Sequence, residues 1–298
     1  MKFSFWPAPT QDFDTVQDLC LHAEASGWDG IWYADHFMPN AADTSAPWPE
    51  CFTTLTALAL TVPRIRIGSL VAGNTYRHPA VLAKMAATID HLSGGRMVLG
   101  IGAGWQENEH RQYGIDFHTL GERLRRLDEA CAVIKALYGE EKADFTGRYY
   151  QLNDASLEPK PAQRPLPLLV GGGGEKVTMK IAARWADEWN VWGTPEVLRH
   201  KVGVLKGHCA ELGRDPTSIH KSAQALLFMS EDADWLAKRR AAPAQMASII
   251  GTPTEIAETV RAYAEAGVDE LIVPDFTLGQ GTAKKQAMDT FIKVVAGR

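Results

Sequence analysis

Asp35 and His36 are the pair of neighbouring residues best suited to proton chemistry in this sequence. A carboxylate beside an imidazole can hold or move a proton near neutral pH. The pair follows the apolar segment 30–34, which has the composition of a strand. Because neighbouring side chains of a strand point to opposite faces, one of the two is enough to face a pocket. A hydrogen-bonded structural histidine is the alternative interpretation.

Four consecutive glycines, Gly171, Gly172, Gly173 and Gly174, precede Glu175. Glycine lets the backbone approach a ligand closely. A helix predicted to begin at about Glu175 would direct its free N–H groups and the positive end of its dipole at an anion. A tight turn between strand and helix needs one or two glycines. The run of four therefore predicts a phosphate-binding site.

A second glycine-rich segment runs from Gly100 through Gly102 and Gly104 to Trp105. It lacks the GxGxxG spacing of a dinucleotide-binding fingerprint. Its small residues would let a flat ring lie across the ends of the strands, with Trp105 at the ring's edge. The alternative interpretation is that these glycines relieve crowding between strands.

Other functional classes are not favoured by the sequence. No HxH, HxxxH or HExxH spacing occurs, so no metal site is predicted, and no GxSxG motif suggests a serine nucleophile. The net charge of −5 gives no basic surplus for nucleic acid. No apolar run is long enough to span a membrane, and residues 1–7 do not resemble a signal peptide. Four cysteines without CxxC spacing favour reduced thiols and a cytoplasmic location.

A strand-then-helix alternation must position these residues. Each predicted strand is short and apolar, and helix-period segments follow nearly all of them. The eight predicted strands are Lys2–Trp6, Gly30–Ala34, Arg66–Ala72, Met97–Gly102, Leu166–Gly171, Glu188–Trp192, Ser222–Met229 and Glu270–Pro274. Eight such units in 298 residues predict one (β/α)8 TIM barrel domain over residues 1–298.

Three segments depart from this alternation and predict insertions after strands 2, 4 and 7. Segment 37–49 is a loop, segment 144–161 contains a β-hairpin, and segment 231–251 allows an extra short helix. In a barrel of this kind the active site lies at the carboxyl ends of the strands. The candidate site residues there are Trp6, Asp35, His36, Gly73, Asn74, Gly104, Trp105, Asn108, Gly171–Gly174 and Trp192.

Five motifs in this order resemble the luciferase-like superfamily of flavin and deazaflavin oxidoreductases, most closely its branch that uses coenzyme F420. The motifs are Trp32–Phe37, Gly68–Pro79, Ser93–Trp105 with Asn108-Glu109-His110, Leu169–Gly173 and Ala186–Asn190. They cover essentially the whole chain. The resemblance implies an oxidoreductase on a (β/α)8 barrel, often a homodimer, with the cofactor ring lying across the strand ends.

The resemblance also implies a role for each matching residue. His36 would lie near the reactive carbon of the ring, and Asp35 would hold the ring or His36. A bulge with a cis peptide, which maps to Leu70-Val71, would support the back of the ring. Asn108 would contact its polar edge, and Gly73, Asn74 and Gly104 would also lie against the cofactor. Gly172, Gly173 and Gly174 would hold the phosphate.

One departure from the family pattern bears on the substrate. Glucose-6-phosphate dehydrogenases of this group carry a glutamate proton donor where this chain has Trp105, and no clear Lys/Arg cluster for a sugar phosphate is evident. Trp6, Trp48, Trp105 and Trp192 would instead form an aromatic pocket for an apolar or conjugated substrate. The nearest alternative is an FMN-dependent monooxygenase that uses dioxygen. A non-catalytic cofactor-binding barrel is a second alternative, and a cofactor-free hydrolase or aldolase lacks the necessary carboxylate pair or strand-end lysine.

Overall fold

Apolar strand segments such as 168–171 and 270–274 are buried on both faces, as parallel strands covered by helices require. The computed structural model describes residues 1–243 and 246–297. The strands are β1 (Lys2–Trp6), β2 (Gly30–Tyr33), β3 (Arg66–Ser69), β4 (Ala72–Gly73), β5 (Met97–Gly102), β6 (Ala143–Thr146), β7 (Gln151–Ala155), β8 (Leu168–Gly171), β9 (Glu188–Trp192), β10 (His220–Gln224), β11 (Leu226–Met229), β12 (Ser248–Gly251) and β13 (Glu270–Pro274).

Helices follow the barrel strands and cover the outside of the sheet. They are α1 (Phe13–Ser26), α2 (Cys51–Thr61), α3 (Pro79–Leu92), α4 (Glu107–Tyr113), α5 (Leu120–Gly139), α6 (Thr178–Trp185), α7 (Pro195–Glu211), α8 (Ala233–Ala241), α9 (Pro253–Glu265) and α10 (Gly281–Ala296). Two single turns of 3-10 helix lie at Pro216–Ser218 and Asp275–Thr277. In the described residues, no helix combines the length and apolar character needed to cross a membrane.

The sheet closes into a barrel of parallel strands in the order β1, β2, β3, β5, β8, β9, β10 and β13. The pairing of Phe5 with Val273 joins the first strand to the last, and Ile67 pairs with Met97 across β3 and β5. This closed arrangement confirms the predicted (β/α)8 barrel. Its carboxyl ends gather the segments that the sequence marks for chemistry at one mouth.

The second and fifth predicted strands are one and two residues shorter than predicted, and the third and seventh end early because the pairing of the sheet changes. The third breaks after Ser69 at the Leu70-Val71 peptide, which is cis, and pairing resumes in β4. The seventh ends at Gln224, because β11 leaves the barrel and pairs in parallel with β12. Apolar composition alone cannot distinguish a strand of the barrel from one that leaves it. Helix α8 lies between β11 and β12 in the chain, and the hairpin of β6 and β7 lies between α5 and β8.

Local capping explains where several helices begin. Thr252 and Glu255 form the reciprocal capping box that their spacing predicts at the start of α9. Asp12 accepts a hydrogen bond from the Thr15 amide at the start of α1, and Gly27 ends that helix in the left-handed conformation at φ 95°. All four cysteines are free and buried, as expected for reduced thiols.

A buried ion-pair cluster closes the amino end of the barrel. Arg66 binds Glu188 closely and donates to Glu270 at 3.1 Å, while His220 contacts Glu270 at 3.0 Å and the Trp32 indole donates to it at 2.8 Å. Burial acts to raise the pKa of Glu270, but its hydrogen bonds and the Arg66 charge lower it to about 2. Burial raises the pKa of Glu188. The cluster lies at the opposite end of the barrel from the predicted active site, which marks its role as structural.

Candidate active site

A cavity of about 570 Å³ opens at the carboxyl ends of the barrel strands. This volume is typical of small-molecule and cofactor sites. Most of the predicted site residues line it: Trp6, Asp35, His36, Leu70, Val71, Gly73, Gly104, Trp105, Gly171, Gly172, Gly173, Gly174 and Trp192. Residues that were not singled out also line it, including Tyr76, Thr178, Asn190 and Gln224. The barrel therefore brings together segments more than 200 residues apart in the chain.

His36 is held by a buried carboxylate from helix α4. Glu109, whose side chain is fully buried, lies with Oε1 2.8 Å from His36 Nδ1. The same carboxylate accepts the Phe37 amide at 2.8 Å and a short hydrogen bond from the Tyr76 hydroxyl. Burial alone would raise the pKa of Glu109, but these three donors hold it below its ordinary value. An ionised carboxylate only accepts hydrogen bonds, so Nδ1 carries the proton and His36 Nε2 is left for the cavity.

The hydrogen bonds of Asp35 among the described residues go to Arg77 and Gly73 and not to His36. The Asp35 carboxylate is fully buried and accepts both Arg77 guanidinium nitrogens, at 2.7 and 3.0 Å. It also accepts the Gly73 amide at 3.1 Å. Burial raises the pKa of Asp35, and the Arg77 charge opposes that rise. These donors tie the Asp35 carboxylate to Arg77 and to the first turn of backbone after the bulge, at Gly73, and its catalytic role stays a prediction.

Val71 explains the glycines of the neighbouring strands. A Cβ atom on Gly102 would lie 2.8 Å from a Val71 methyl group, and one on Gly171 would lie 2.9 Å away. A Cβ on Gly100 would lie 2.0 Å from the Ser69 carbonyl oxygen. These distances are too short for real contacts, so only glycine fits beside the bulge that carries Leu70 and Val71. The interpretation that these glycines relieve crowding is therefore correct for Gly100 and Gly102.

The glycine run borders the end of the cavity next to α6. Gly172 has φ +130°, which requires glycine, and its amide donates to the Asn190 carbonyl at 2.9 Å. Side chains at Gly173 and Gly174 would meet Val191 and Thr178 at 2.8 Å. Local packing thus accounts for each glycine, so the run alone carries less weight as a phosphate signal than its length suggested.

Helix α6 begins at Thr178, three residues later than predicted. Residues 175–177 form a turn between the glycine run and the helix. Thr178 is buried and lines the cavity at the first helical position, where the N–H groups of the first turn have no partner within the helix. Backbone amides and the Thr178 hydroxyl are therefore the donors available to an anion at this end of the cavity.

Three predicted site residues lie outside the cavity lining. The Asn108 amide donates to the Pro39 carbonyl at 2.9 Å, so it fixes the loop after β2 instead of facing the mouth. The buried Asn74 side chain donates to the Tyr150 hydroxyl at 3.3 Å. Trp48 packs edge-on against His36 with ring centroids 6.5 Å apart. These three side chains therefore have protein partners next to the cavity, and their roles toward cofactor or substrate stay predictions.

Aromatic rings form the rest of the cavity wall. Trp6 and Trp192 have ring centroids 6.0 Å apart, and Phe276 packs against Trp6 at 5.2 Å. Trp105 packs edge-on against His36 at 5.4 Å and is 61% exposed at the mouth. No Lys or Arg occurs among the described residues that line the cavity. The wall therefore offers flat apolar surface and neutral polar groups.

Two polar atoms in this wall are buried without a protein partner. Among the residues the structure describes, Trp6 Nε1 and Gln224 Oε1 make no hydrogen bond, although both side chains line the cavity. Leaving a buried donor or acceptor unsatisfied costs about 1–3 kcal/mol. One donor and one acceptor at the end of a flat apolar wall fit a planar heteroaromatic ring that carries both kinds of group. The site therefore suits a flavin or deazaflavin ring.

Sequence reasoning missed Glu109, Tyr76 and Arg77 as site residues. All three lie within the motifs that carry the resemblance, but none of them directly follows a predicted strand. Glu109 projects from α4, and Tyr76 and Arg77 come from the loop before α3. A carboxylate on a helix immediately after a barrel strand was the available signal for Glu109.

Comparison with known proteins places the chain in a family. The family model for luciferase-like monooxygenases matches residues 2–246. The chain belongs to the luciferase-like monooxygenase family. One curated relative is the F420-dependent glucose-6-phosphate dehydrogenase of Kineococcus radiotolerans. It is 31% identical to this chain over 293 residues, and the match covers 86% of each chain. These findings confirm the resemblance that the motifs carry.

This luciferase-like chain is also similar to a second curated protein and to a solved structure. The F420-dependent hydroxymycolic acid dehydrogenase of Mycobacterium tuberculosis is 31% identical over 72% of this chain and 59% of its own length. A solved F420-dependent secondary alcohol dehydrogenase, in complex with an F420-acetone adduct, superposes with a TM-score of 0.86 over 99% of this chain and 98% of its own. That structure is 19% identical and supports the fold of the luciferase-like barrel.

Proposed function

We propose that this chain is an oxidoreductase that transfers a hydride between coenzyme F420 and a small organic substrate in the His36 cavity. The observation that carries the proposal is His36 itself, fixed through Nδ1 by buried Glu109 and lining a cavity of about 570 Å³. The unpartnered Trp6 and Gln224 atoms in the same wall support a planar, polar-edged cofactor. Curated relatives named as F420-dependent dehydrogenases support the choice of F420.

The cofactor, when bound, accepts or donates the hydride through its deazaflavin ring. The chain supplies position and proton handling. His36 holds or moves a proton at Nε2, and the ionised Glu109 stabilises the imidazole in the tautomer that leaves Nε2 available. The Gly172 amide already donates to the Asn190 carbonyl, so the amides of Gly173 and Gly174 and the Thr178 hydroxyl would hold the phosphate, with Leu70 and Val71 supporting the ring.

An apolar or conjugated alcohol, carbonyl or enone is the substrate class that this wall favours. Trp6, Trp105 and Trp192 offer aromatic surface, and the described lining residues include no Lys or Arg to pair with a sugar phosphate. Anion recognition normally uses charge-assisted bonds from such cations. We therefore infer a substrate different from the one that the Kineococcus relative's name states.

The test combines cofactor binding with a substrate panel. Tryptophan fluorescence would follow titration with F420 and, separately, with FMN, because Trp6 and Trp192 line the cavity. Loss of F420 absorbance would then report oxidation of secondary alcohols, with glucose 6-phosphate as the contrasting substrate. Reduced F420 with conjugated enones tests the reverse direction.

Each outcome separates the parts of the proposal. Binding of F420 and turnover with an apolar alcohol or enone are expected. Turnover with glucose 6-phosphate alone would refute the substrate class while keeping the cofactor. Tight binding of FMN alone, with oxygen consumption by the reduced flavin, would replace the proposal with a monooxygenase. Binding of F420 without turnover of any acceptor would favour a non-catalytic cofactor-binding barrel.

Three further expectations stay predictions. The homodimer derives from the resemblance alone, and the cytoplasmic location derives from cysteine usage. The assignment of residues 1–298 to one domain derives from the strand-helix alternation. Sedimentation of the purified protein would test the first of these.

A further inference from the structure

A basic groove lies beside the glycine run, outside the cavity described above. It is a depression of about 290 Å³ between α5 and α6, and four cationic side chains line it: Arg125, Lys176, Lys180 and Arg184. Asp128 is the acidic residue in the lining, and it already accepts the Trp185 indole at 2.7 Å and pairs with Arg184 at 2.8 Å. Three more cations than anions therefore line one groove of a chain whose net charge is −5.

Two of the four cations, Arg125 and Lys176, form no ion pair with a carboxylate in the described part of the chain, and Lys180 is held only by an exposed pair. Among the described residues, Lys176 has no carboxylate partner, and Arg125 donates to the neutral Tyr149 hydroxyl at 3.1 Å. Lys180 contacts Glu211 at 3.4 Å, with both side chains largely exposed. An exposed pair of this kind contributes little and exchanges readily for another anion.

The groove continues directly from the cavity. Leu124 lines both, and Lys176 in the groove follows two residues after Gly174 in the cavity. Two residues of extended chain span at most about 7 Å. A ligand whose phosphate lies against the glycine run would therefore reach the cations with any substituent that continues outward from the phosphate.

We propose that the α5–α6 groove binds a chain of carboxylates attached to the phosphate of the bound cofactor. This proposal rests on the proposed function, because coenzyme F420 carries an oligoglutamyl chain beyond its phosphate, whereas FMN ends at the phosphate. Carboxylates spaced along a flexible chain match cations spaced along α5, α6 and the turn before α6. The groove would therefore favour F420 over FMN through contacts that do not touch the ring.

Binding of cofactor forms that differ in the tail tests the groove. Fluorescence titration would compare F420 with several glutamates, the same molecule ending before the first glutamate, and FMN. The test variant is Arg125→Gln with Lys176→Gln, and the matched control is Lys206→Gln with Lys238→Gln, two exposed lysines elsewhere. An exposed ion pair contributes about 1.4- to 5-fold in affinity, so the double variant should raise the Kd of the long-tailed form between about 2- and 30-fold.

The outcomes distinguish the groove from the function. We expect the tail-less form to bind the test variant and the wild type equally, and the tail effect to shrink at high salt. Equal affinity of tailed and tail-less forms for the wild type would overturn the groove and leave the F420 function intact. If the test variant lost the same affinity for the tailed form, the tail-less form and FMN, the proposed role of the groove would also be overturned. Absence of binding by every deazaflavin form would overturn the proposed function and the groove together.

Discussion

Replacement of Glu109 by glutamine tests whether this buried carboxylate positions His36. In the wild type, Oε1 accepts His36 Nδ1 at 2.8 Å and the Tyr76 hydroxyl, and Oε2 accepts the Phe37 amide at 2.8 Å. Glutamine has nearly the same shape but offers one acceptor oxygen and one donor nitrogen. Neither orientation of the amide can accept from all three donors.

The cost follows from the two orientations. With the amide oxygen toward His36, the new NH2 group faces the Phe37 N–H, and two donors oppose each other. With the oxygen toward Phe37, the NH2 group faces Nδ1, and His36 must move its proton to Nε2 to accept. Loss of a hydrogen bond to a charged group costs about 1.5–3 kcal/mol. If the transition state carries this full cost, kcat/KM falls about 10- to 150-fold.

The assay measures kcat and KM with the substrate that the panel identifies, together with 15N spectra that assign the His36 tautomer. Glu107→Gln is the matched control, because Glu107 lies exposed on the same helix. A double-mutant cycle with His36→Ala separates positioning from stability. If Glu109 acts through His36, its replacement costs little in the His36→Ala background. Full additivity of the two losses, or an unchanged kcat/KM for Glu109→Gln, would refute the positioning role.

Three further perturbations test the packing around the site and the barrel base. In thermal melts, Gly100→Ala should destabilise the fold by about 1–3 kcal/mol or more, because its Cβ would lie 2.0 Å from a backbone oxygen. The control Gly139→Ala places its Cβ in open space and should be neutral or stabilising. Arg77→Met should cost about 3–5 kcal/mol by denaturant unfolding, because it leaves the Asp35 carboxylate buried without its partner, and a loss below 1 kcal/mol would contradict the ion pair. Because the pKa of Glu270 is lowered from 4.5 to about 2 on folding, the ionised side chain should add roughly 3 kcal/mol to the free energy of unfolding. This stabilisation is present above pH 4.5 and is lost as the pH falls toward 2. Glu270→Gln should therefore flatten this part of the curve of stability against pH.

The barrel was predictable because its signals are local and repeated. Buried parallel strands are continuously apolar, and the helices between them carry a regular apolar face, so the number and order of units follow from pattern alone. The ends of strands were less predictable. Ser69 and Gln224 end their barrel strands although the apolar pattern runs on, because pairing depends on a neighbouring strand that the local sequence does not specify.

The sequence predicted where the site lies but not which residues hydrogen-bond to each other within it. His36 and Asp35 follow the same strand, yet each is held by a residue from a different segment: Glu109 on α4 for the first and Arg77 before α3 for the second. The family resemblance implied that Asp35 would hold either the ring or His36. On a strand end, neighbouring side chains diverge, so each must find its partner across the barrel mouth.

This division assigns different physical tasks to the two carboxylates beside His36. Asp35 is bound by a fixed cation and two of its bonds come from Arg77, so its charge is balanced whether or not a ligand is present. Glu109 has no Lys or Arg among its hydrogen-bond partners in the described part of the chain; its partners are an imidazole, a hydroxyl and a backbone amide. A proton that arrives at His36 Nε2 therefore creates the positive charge that balances Glu109. Under the proposed function, we therefore expect Glu109, the buried carboxylate that no permanent cation neutralises, to act together with His36.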